Sequence, residues 1–427
     1  MRVMVLSHGH PDLIAGGGER AAYAIFQRLK RHPGVEETLF VAAAPAEAIG
    51  HSAAFGAFRS RPDEILACPP PVDSFTHQTL GLDQLRRLVD DLVSAFKPDV
   101  VHVHHFINWG LDVLELFRRA GVPVVFTFHE FGAICSHYGQ MLKVDGRLCD
   151  AASPAECSLC FPQFAAGKFF VRESIVKYLL GFADGYLSPS AFLARRFTAW
   201  GIPEQRIAVV ENLLDPHTLA QALALENAPA GTEGSGRPAD RVVFSFFGQI
   251  TPFKGVDLLL EAVRLLPSSL RSRILVQVHG DNIYYRETDF GRRLRSLAEE
   301  ATDVVSLRGA YRNVETIALM AASDWIIVPS IWWENSPVVM QEARLAARPL
   351  ICADIGGMSE KMNRDVDQPF SARSAASLAD VMAAVVEARV RPDRERLREL
   401  ARARVEADEA HLDRHVSVYA KAMAGWA

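Results

Sequence analysis

The chain lacks any window of about 18 residues that is apolar and free of charge, so no membrane-spanning helix is expected. Cysteine is scarce, six in 427 residues. That is too few for a disulfide framework, and residues 1–7 read as a first strand, too short for a secretory segment. Reduced thiols in a cytoplasm are therefore expected. There is no excess of positive charge. With 46 Lys and Arg against 51 Asp and Glu the formal net charge is −5, and neither half is polybasic, so nucleic acid is not an expected partner. No repeat of about 20 to 50 residues recurs, which sets aside solenoids and propellers.

What is present is a globular composition, 49% hydrophobic and 23% charged, over a length that suggests two domains of roughly 200 residues each. Short apolar runs at 3–6, 39–43, 100–104, 122–128, 185–187 and 207–210 alternate with segments of helical period. Several are apolar on successive residues, as strands of a parallel sheet covered on both faces should be. The stretch Ala228 to Pro238 is rich in Gly, Pro, Ser and Ala and reads as a linker. Beyond it the rhythm restarts at 242–247, 274–278, 304–307, 325–328 and 350–353. The expected class is α/β: an N-terminal Rossmann-like domain over 1–225, a linker over 226–240 and a second Rossmann-like domain over 241–390. Charged, Ala-rich helices over 391–427 are expected to pack back on the first domain.

In open α/β sheets ligands bind beyond the carboxyl ends of strands. In the first half, Gly16, Gly17, Gly18 and Glu19 precede a helical segment. Glycines there let backbone approach a ligand, and the free N–H groups of a helix start favour a phosphate or a sugar hydroxyl. The alternative is a flexible turn whose Glu19 balances the helix dipole. The run 122–128 leads into His129 and Glu130, an imidazole and a carboxylate at a crevice edge, with His129 either facing a ligand or serving the structure. Strand alternation puts His102 and His104 on one face and His105 on the other, with no metal duty assigned.

In the second half, Lys254 and Gly255 open a helix, where a cation beside helix N–H groups suits a diphosphate; an exposed lysine is the alternative. The spacing is not that of the nucleoside-triphosphate loop, which needs Ser or Thr after the Lys. The most informative run is 328–343. Glu334 and Asn335 lie on a loop, Ser336 and Pro337 read as cap and first turn of a helix, and Glu342 lies on that helix. A division of labour between the two glutamates, one near a sugar and one near ribose hydroxyls, fits better than a glycosidase pair across one bond.

Four of the six cysteines, Cys135, Cys149, Cys157 and Cys160, cluster in the loop that follows His129. They suit a structural zinc site, with buried free thiols or a redox pair as alternatives. Just beyond, the segment from Lys168 combines cations and aromatics and suits either a core helix or peripheral membrane contact.

The series Phe247-Gly248, Lys254-Gly255, His279-Gly280-Asp281, Pro329-Ser330, Glu334-Asn335-Ser336-Pro337, Glu342-Ala343 and Gly356-Gly357 resembles the retaining GT-B glycosyltransferases of family 4. Looser similarity in the first half rests on Gly16 to Glu19, the strand Asp99 to His104, His129 and Glu211-Asn212. The resemblance implies two doubly wound Rossmann-like domains facing across a cleft. It also implies a nucleotide diphosphate sugar donor and a glycan, lipid-linked or small-molecule acceptor. Residue by residue it implies Lys254 on the diphosphate, Glu342 on the ribose and Glu334 near the donor sugar with Asn335 and Ser336. Gly17 and Gly18 would lie on the donor, and His129 would face the sugar from the acceptor side. No cofactor is implied for catalysis. Two departures stand out: Gln249 occupies the place of a usual Arg, and Asp365-Val-Asp367 replaces a Gly-containing loop. The Gln249 departure keeps open a non-catalytic sugar-nucleotide-binding protein, and the fold also serves phosphorylases and epimerases.

Overall fold

The structure, a computed structural model, describes every residue except 15, 50–53, 227–240, 283–284 and 427. The expected linker therefore lies outside the described residues. The chain forms two compact units, Met1–Pro216 with Asp408–Ala427, and His217–Ala407. The helix Pro216–Glu226 begins at that division, nine residues before the boundary at 225 expected from sequence.

Among the described residues the first unit holds eight strands: β1 Arg2–Ser7, β2 Glu37–Ala43, β3 Phe55–Phe58, β4 Arg61–Ala67, β5 Val100–Val103, β6 Val124–Thr127, β7 Gly185–Ser188 and β8 Ile207–Val209. Their order is β3-β4-β2-β1-β5-β6-β7-β8. Only β3 runs antiparallel, hydrogen-bonded to β4. This edge hairpin escapes the apolar pattern because β4 starts on Arg61, Pro62 and Asp63. Its turn uses Arg59 and Ser60 at φ of 50° and 61° instead of the usual Asn or Gly. The central strands β5, β6 and β7 are buried at every residue, which is why their sequences read as continuous apolar runs.

The second unit holds β9 Val242–Phe247, β10 Ile274–His279, β11 Val305–Gly309, β12 Trp325–Val328, β13 Leu350–Ala353 and β14 Gln368–Phe370. All are parallel, in the order β11-β10-β9-β12-β13-β14. The order reverses at β9, between β10 and β12, so the switch-point crevice opens beyond the ends of β9 and β12. The short edge strand β14 contains Pro369, which weakens any strand signal in the sequence.

The long helix Arg394–Met423 begins in the second unit, and its residues from Asp408 onward belong to the first. Leu412, Val418, Tyr419 and Ala422 are buried in a cluster with Val3, Phe26 and Leu29. Asp408 anchors the segment, accepting from Arg28 Nη1 at 2.6 Å and from the Leu214 N–H at 2.9 Å. Each large apolar side chain buried this way contributes about 1.5–3 kcal/mol. Among the described residues no helix is long and apolar enough to cross a membrane.

Candidate active site

In the second unit, backbone contacts that only glycine permits bring the loops after β9, β12 and β13 together. Gly255, at φ 71°, precedes the helix Val256–Leu265, and a Cβ there would lie 2.0 Å from the Pro329 carbonyl oxygen. The Ile331 N–H donates to Phe253 O at 2.9 Å and closes the same seam. After β13, Gly357 donates its N–H to Glu334 O at 2.7 Å, and a Cβ on it would overlap Asn335 O at 1.4 Å. The spacing of Lys254-Gly255, Glu334-Asn335 and Gly356-Gly357 thus has a packing reason: each glycine makes room for the loop beside it.

This seam sets Lys254 against Glu334. Lys254 Nζ donates to Glu334 Oε1 at 2.6 Å, and the same oxygen accepts from Ser330 Oγ at 2.8 Å and Trp332 Nε1 at 3.0 Å. Glu334 is 5% exposed, whereas the Lys254 side chain is 31% exposed. One carboxylate oxygen thus fixes the lysine and the indole, and the ammonium keeps a face toward solvent. Asn335, Ser336 and Glu342 are buried as well. The helix carrying Glu342 starts at Val338 with Pro337 at its cap, one position later than Ser336-Pro337 suggests. Pro337 itself is extended, at φ −61° and ψ 123°, so the first helical residue is Val338. Asp367 accepts from Arg344 Nη2 at 2.5 Å and from the N–H groups of Leu350 and Asn363, and so serves the structure. Near the place of Gln249, exposed Arg308 lies within electrostatic reach of His279, which stacks on Phe247 at 4.6 Å.

In the first unit the site gathers at the ends of β1, β5 and β6. The helix Gly17–Leu29 starts two glycines deep, and a Cβ on Gly18 would stand 3.1 Å from His8 Cε1. Gly16 leaves space for the Glu19 carboxylate, which a Cβ would meet at 2.1 Å. Glu19 pairs with His8 Nε2 at 2.9 Å, and the His8 ring lies 4.7 Å from that of His105. His105 Nε2 in turn meets Glu130 Oε1 at 3.2 Å. The two carboxyl groups at the ends of this row behave oppositely. Burial pushes Glu130 up to about 8, against the N–H of Gly132 and the charges of His8 and Arg172. Burial also works to raise Glu19, but the hydrogen bond and charge of His8 outweigh it and hold the group below the usual carboxylate range. Glu130 therefore carries a proton at neutral pH, and its Oε2 is buried without a hydrogen-bond partner.

His129 follows β6, its Nε2 3.0 Å from His104 Nδ1 and its ring stacked on that of His104. Burial, with the charges of His105 and His8, lowers it to about 3. It is a neutral imidazole at neutral pH, able to exchange a hydrogen bond with a sugar hydroxyl but bringing no positive charge. As strand alternation requires, the rings of His102 and His104 share a face, 4.0 Å apart, while His105 turns toward His8. His102 is committed to Tyr419 and Thr127. From sequence, Glu130 stands at the crevice edge beside His129 without a role, and His8 and His105 are given none. The His8-Gly9-His10 run directly after β1, and a carboxylate adjoining His129, were the available signals.

The comparisons follow this geometry. Residues 15–218 match the model of Glycosyltransferase Family 4, and residues 232–404 match that of Glycosyl transferases group 1. Among curated relatives, the D-inositol 3-phosphate glycosyltransferase of Thermobispora bispora is 27% identical over 299 residues, 66% of this chain and 62% of that protein. A probable glycogen synthase of Methanocaldococcus jannaschii is 30% identical over 118 residues, 28% of this chain and 21% of that protein. The chain thus spans less than two thirds of the length of these relatives. Among solved structures, Anabaena HepE in complex with UDP and glucose aligns with a TM-score of 0.60 at 18% identity, over 99% of this chain and 98% of that one. The sucrose-phosphate synthase of Thermosynechococcus elongatus aligns at 0.67 and 16% identity, over 99% and 100%. The fold is the GT-B fold of these solved structures. The two family models match successive parts of the chain, the family 4 model its first half.

Proposed function

We propose that the chain is a retaining glycosyltransferase that moves a sugar from a nucleoside diphosphate sugar to a glycan, lipid-linked or small-molecule acceptor. The observation that carries this reading is Lys254, fixed by Glu334 at the switch point of the second unit with its ammonium still accessible. A cation held beside the start of a helix neutralises a diphosphate in the donor and stabilises the charge that grows on it as the glycosidic bond breaks. Glu342 accepts hydrogen bonds from the ribose, and the backbone of Asn335 and Ser336 lies along the sugar. Similar solved structures hold UDP and UDP-glucose, which makes UDP the first nucleotide to test.

On the first unit, Gly17 and Gly18 offer N–H groups to donor oxygens, and neutral His129 orients a sugar hydroxyl. In the transfer, the acceptor oxygen bonds to the anomeric carbon as that carbon's bond to the phosphate oxygen breaks. The acceptor proton passes to the departing phosphate on the same face, so configuration is retained. No metal or other cofactor takes part in this scheme. The helix Ala166–Leu180 exposes Phe170, Val171 and Tyr178 and carries Lys168 near its start, which supports peripheral membrane contact for a lipid-linked acceptor. The test is incubation with labelled UDP-, GDP- and ADP-sugars, measuring nucleotide release with and without acceptors. Release that depends on an acceptor supports transfer, whereas tight binding without turnover favours a non-catalytic sugar-nucleotide-binding protein.

A further inference from the structure

The loop after Glu130 carries chemistry that the transfer does not use. Cys135, Cys149, Cys157 and Cys160 come from three places in the loop, the last two from the helix Pro154–Cys160, yet all four line one pocket. None forms a disulfide. Cys135 lies within electrostatic reach of Cys149 and Cys157, and Cys149 within reach of Cys160. The backbone N–H of His137 donates to Cys135 Sγ at 3.4 Å. Buried Arg172 lies near Cys135 and Cys157, and Lys143, paired with the pocket-lining Glu156 at 2.8 Å, lies near Cys149.

We propose that these four cysteines bind one zinc ion as a tetrahedral thiolate site that clamps the loop over Glu130. Among the described residues no three His, Cys, Asp or Glu side chains already stand at metal-holding spacing. Rotation about χ1 moves a cysteine sulfur by about 3 Å with the backbone unchanged, and that is the adjustment the site requires. Four thiolates suit zinc by softness and number, and a closed set of four is the structural kind, with no position left for substrate. Buried Arg172 offsets part of the resulting charge of −2.

The clamp acts on a segment already pressed against the candidate site. Arg172 donates to the carbonyls of Gly132 at 2.6 Å and Ala133 at 2.8 Å. The Phe131 N–H bonds Gly139 O at 3.2 Å, and a Cβ on Gly139 would fall 1.7 Å from Glu130 Oε2. Zinc would hold this fold-back in place.

The metal site can be tested independently of the transferase reading. The full chain, purified under reducing conditions, should contain one zinc per chain by elemental analysis. A mercurial reagent should release that zinc as four thiols react. Cobalt exchanged into the wild-type chain should give thiolate-to-cobalt charge-transfer absorption, a readout that needs no variant. The double variant Cys157→Ser/Cys160→Ser should lose the metal, and Cys68→Ser should keep it. A wild-type chain that takes up neither metal overturns the proposal, as does a Cys157–Cys160 disulfide by mass or full zinc retention by the double variant.

Discussion

Replacing Lys254 by Ala removes one charge-assisted hydrogen bond inside the protein and, on the proposed reading, one cation from the donor diphosphate. Hydrogen bonds to charged groups contribute about 1.5–3 kcal/mol, so donor affinity should fall roughly 10- to 150-fold. The fold should tolerate the change. Glu334 keeps Ser330 Oγ at 2.8 Å and Trp332 Nε1 at 3.0 Å, so the buried carboxylate retains two donors. A loss of about 1 kcal/mol corresponds to about 2–4 °C in Tm for a unit of this size. Isothermal titration with UDP and with UDP-sugars measures the first effect, and thermal unfolding the second. Glu334→Gln keeps an acceptor for Ser330 but uncouples the lysine, so combining it with Lys254→Ala should cost less than the two single effects added. Wild-type affinity in Lys254→Ala, with Tm unchanged or lowered, would refute the assignment of the diphosphate to this lysine.

Glu342→Gln should weaken donor binding by about 1–3 kcal/mol through a buried ribose contact, read by the same titration. Gly357→Ala forces a methyl into Asn335 O and should lower both Tm and kcat/KM, with overpacking costing about 1–3 kcal/mol; an unchanged Tm contradicts the loop packing. His129→Ala should reduce turnover much more than donor affinity, because its contact is assigned to the reacting sugar, and equal losses would make it a donor-binding residue. Glu130, raised to about 8, binds a proton in the folded state that the unfolded chain releases near its ordinary range. It therefore contributes stability that is full below pH 4 to 5 and lost as pH rises through about 8. The Tm advantage of wild type over Glu130→Gln should shrink across that window, and a pH-independent difference contradicts a Glu130 that is protonated in the folded state. His129, lowered to about 3, has the opposite sign: its contribution is present above pH 6.5 and is lost as pH falls toward 3.

Much of this was legible in the sequence because its cause is local. The strands buried on both faces, such as β9, β12 and β13, announce themselves by continuous apolar runs. Lys254 and Glu334 could be singled out because they lie in loops after strands, Lys254 next to Gly255 and Glu334 shortly before Pro337, and Glu342 because it lies on the helix that follows. The hairpin β3–β4 stayed hidden because its turn relies on strained Arg59 and Ser60 and its second strand opens on polar residues. The row Glu19, His8, His105 and Glu130 was hidden for another reason. Its members come from the ends of three strands and a helix start, and only the parallel pairing of β1, β5 and β6 brings them into contact. Nor does sequence reveal that burial separates two chemically identical carboxyl groups, one protonated and one ionised.

The central claim is transfer with retention, and the anomeric configuration of the product tests it most directly. The chain is incubated with an α-linked UDP-sugar, or the GDP- or ADP-sugar that releases nucleotide with acceptor, and the new linkage of the purified product is examined by proton NMR. An α-linked product formed in step with nucleotide release is the predicted result. A β-linked product, or nucleotide release that yields only free sugar with every acceptor class, contradicts it.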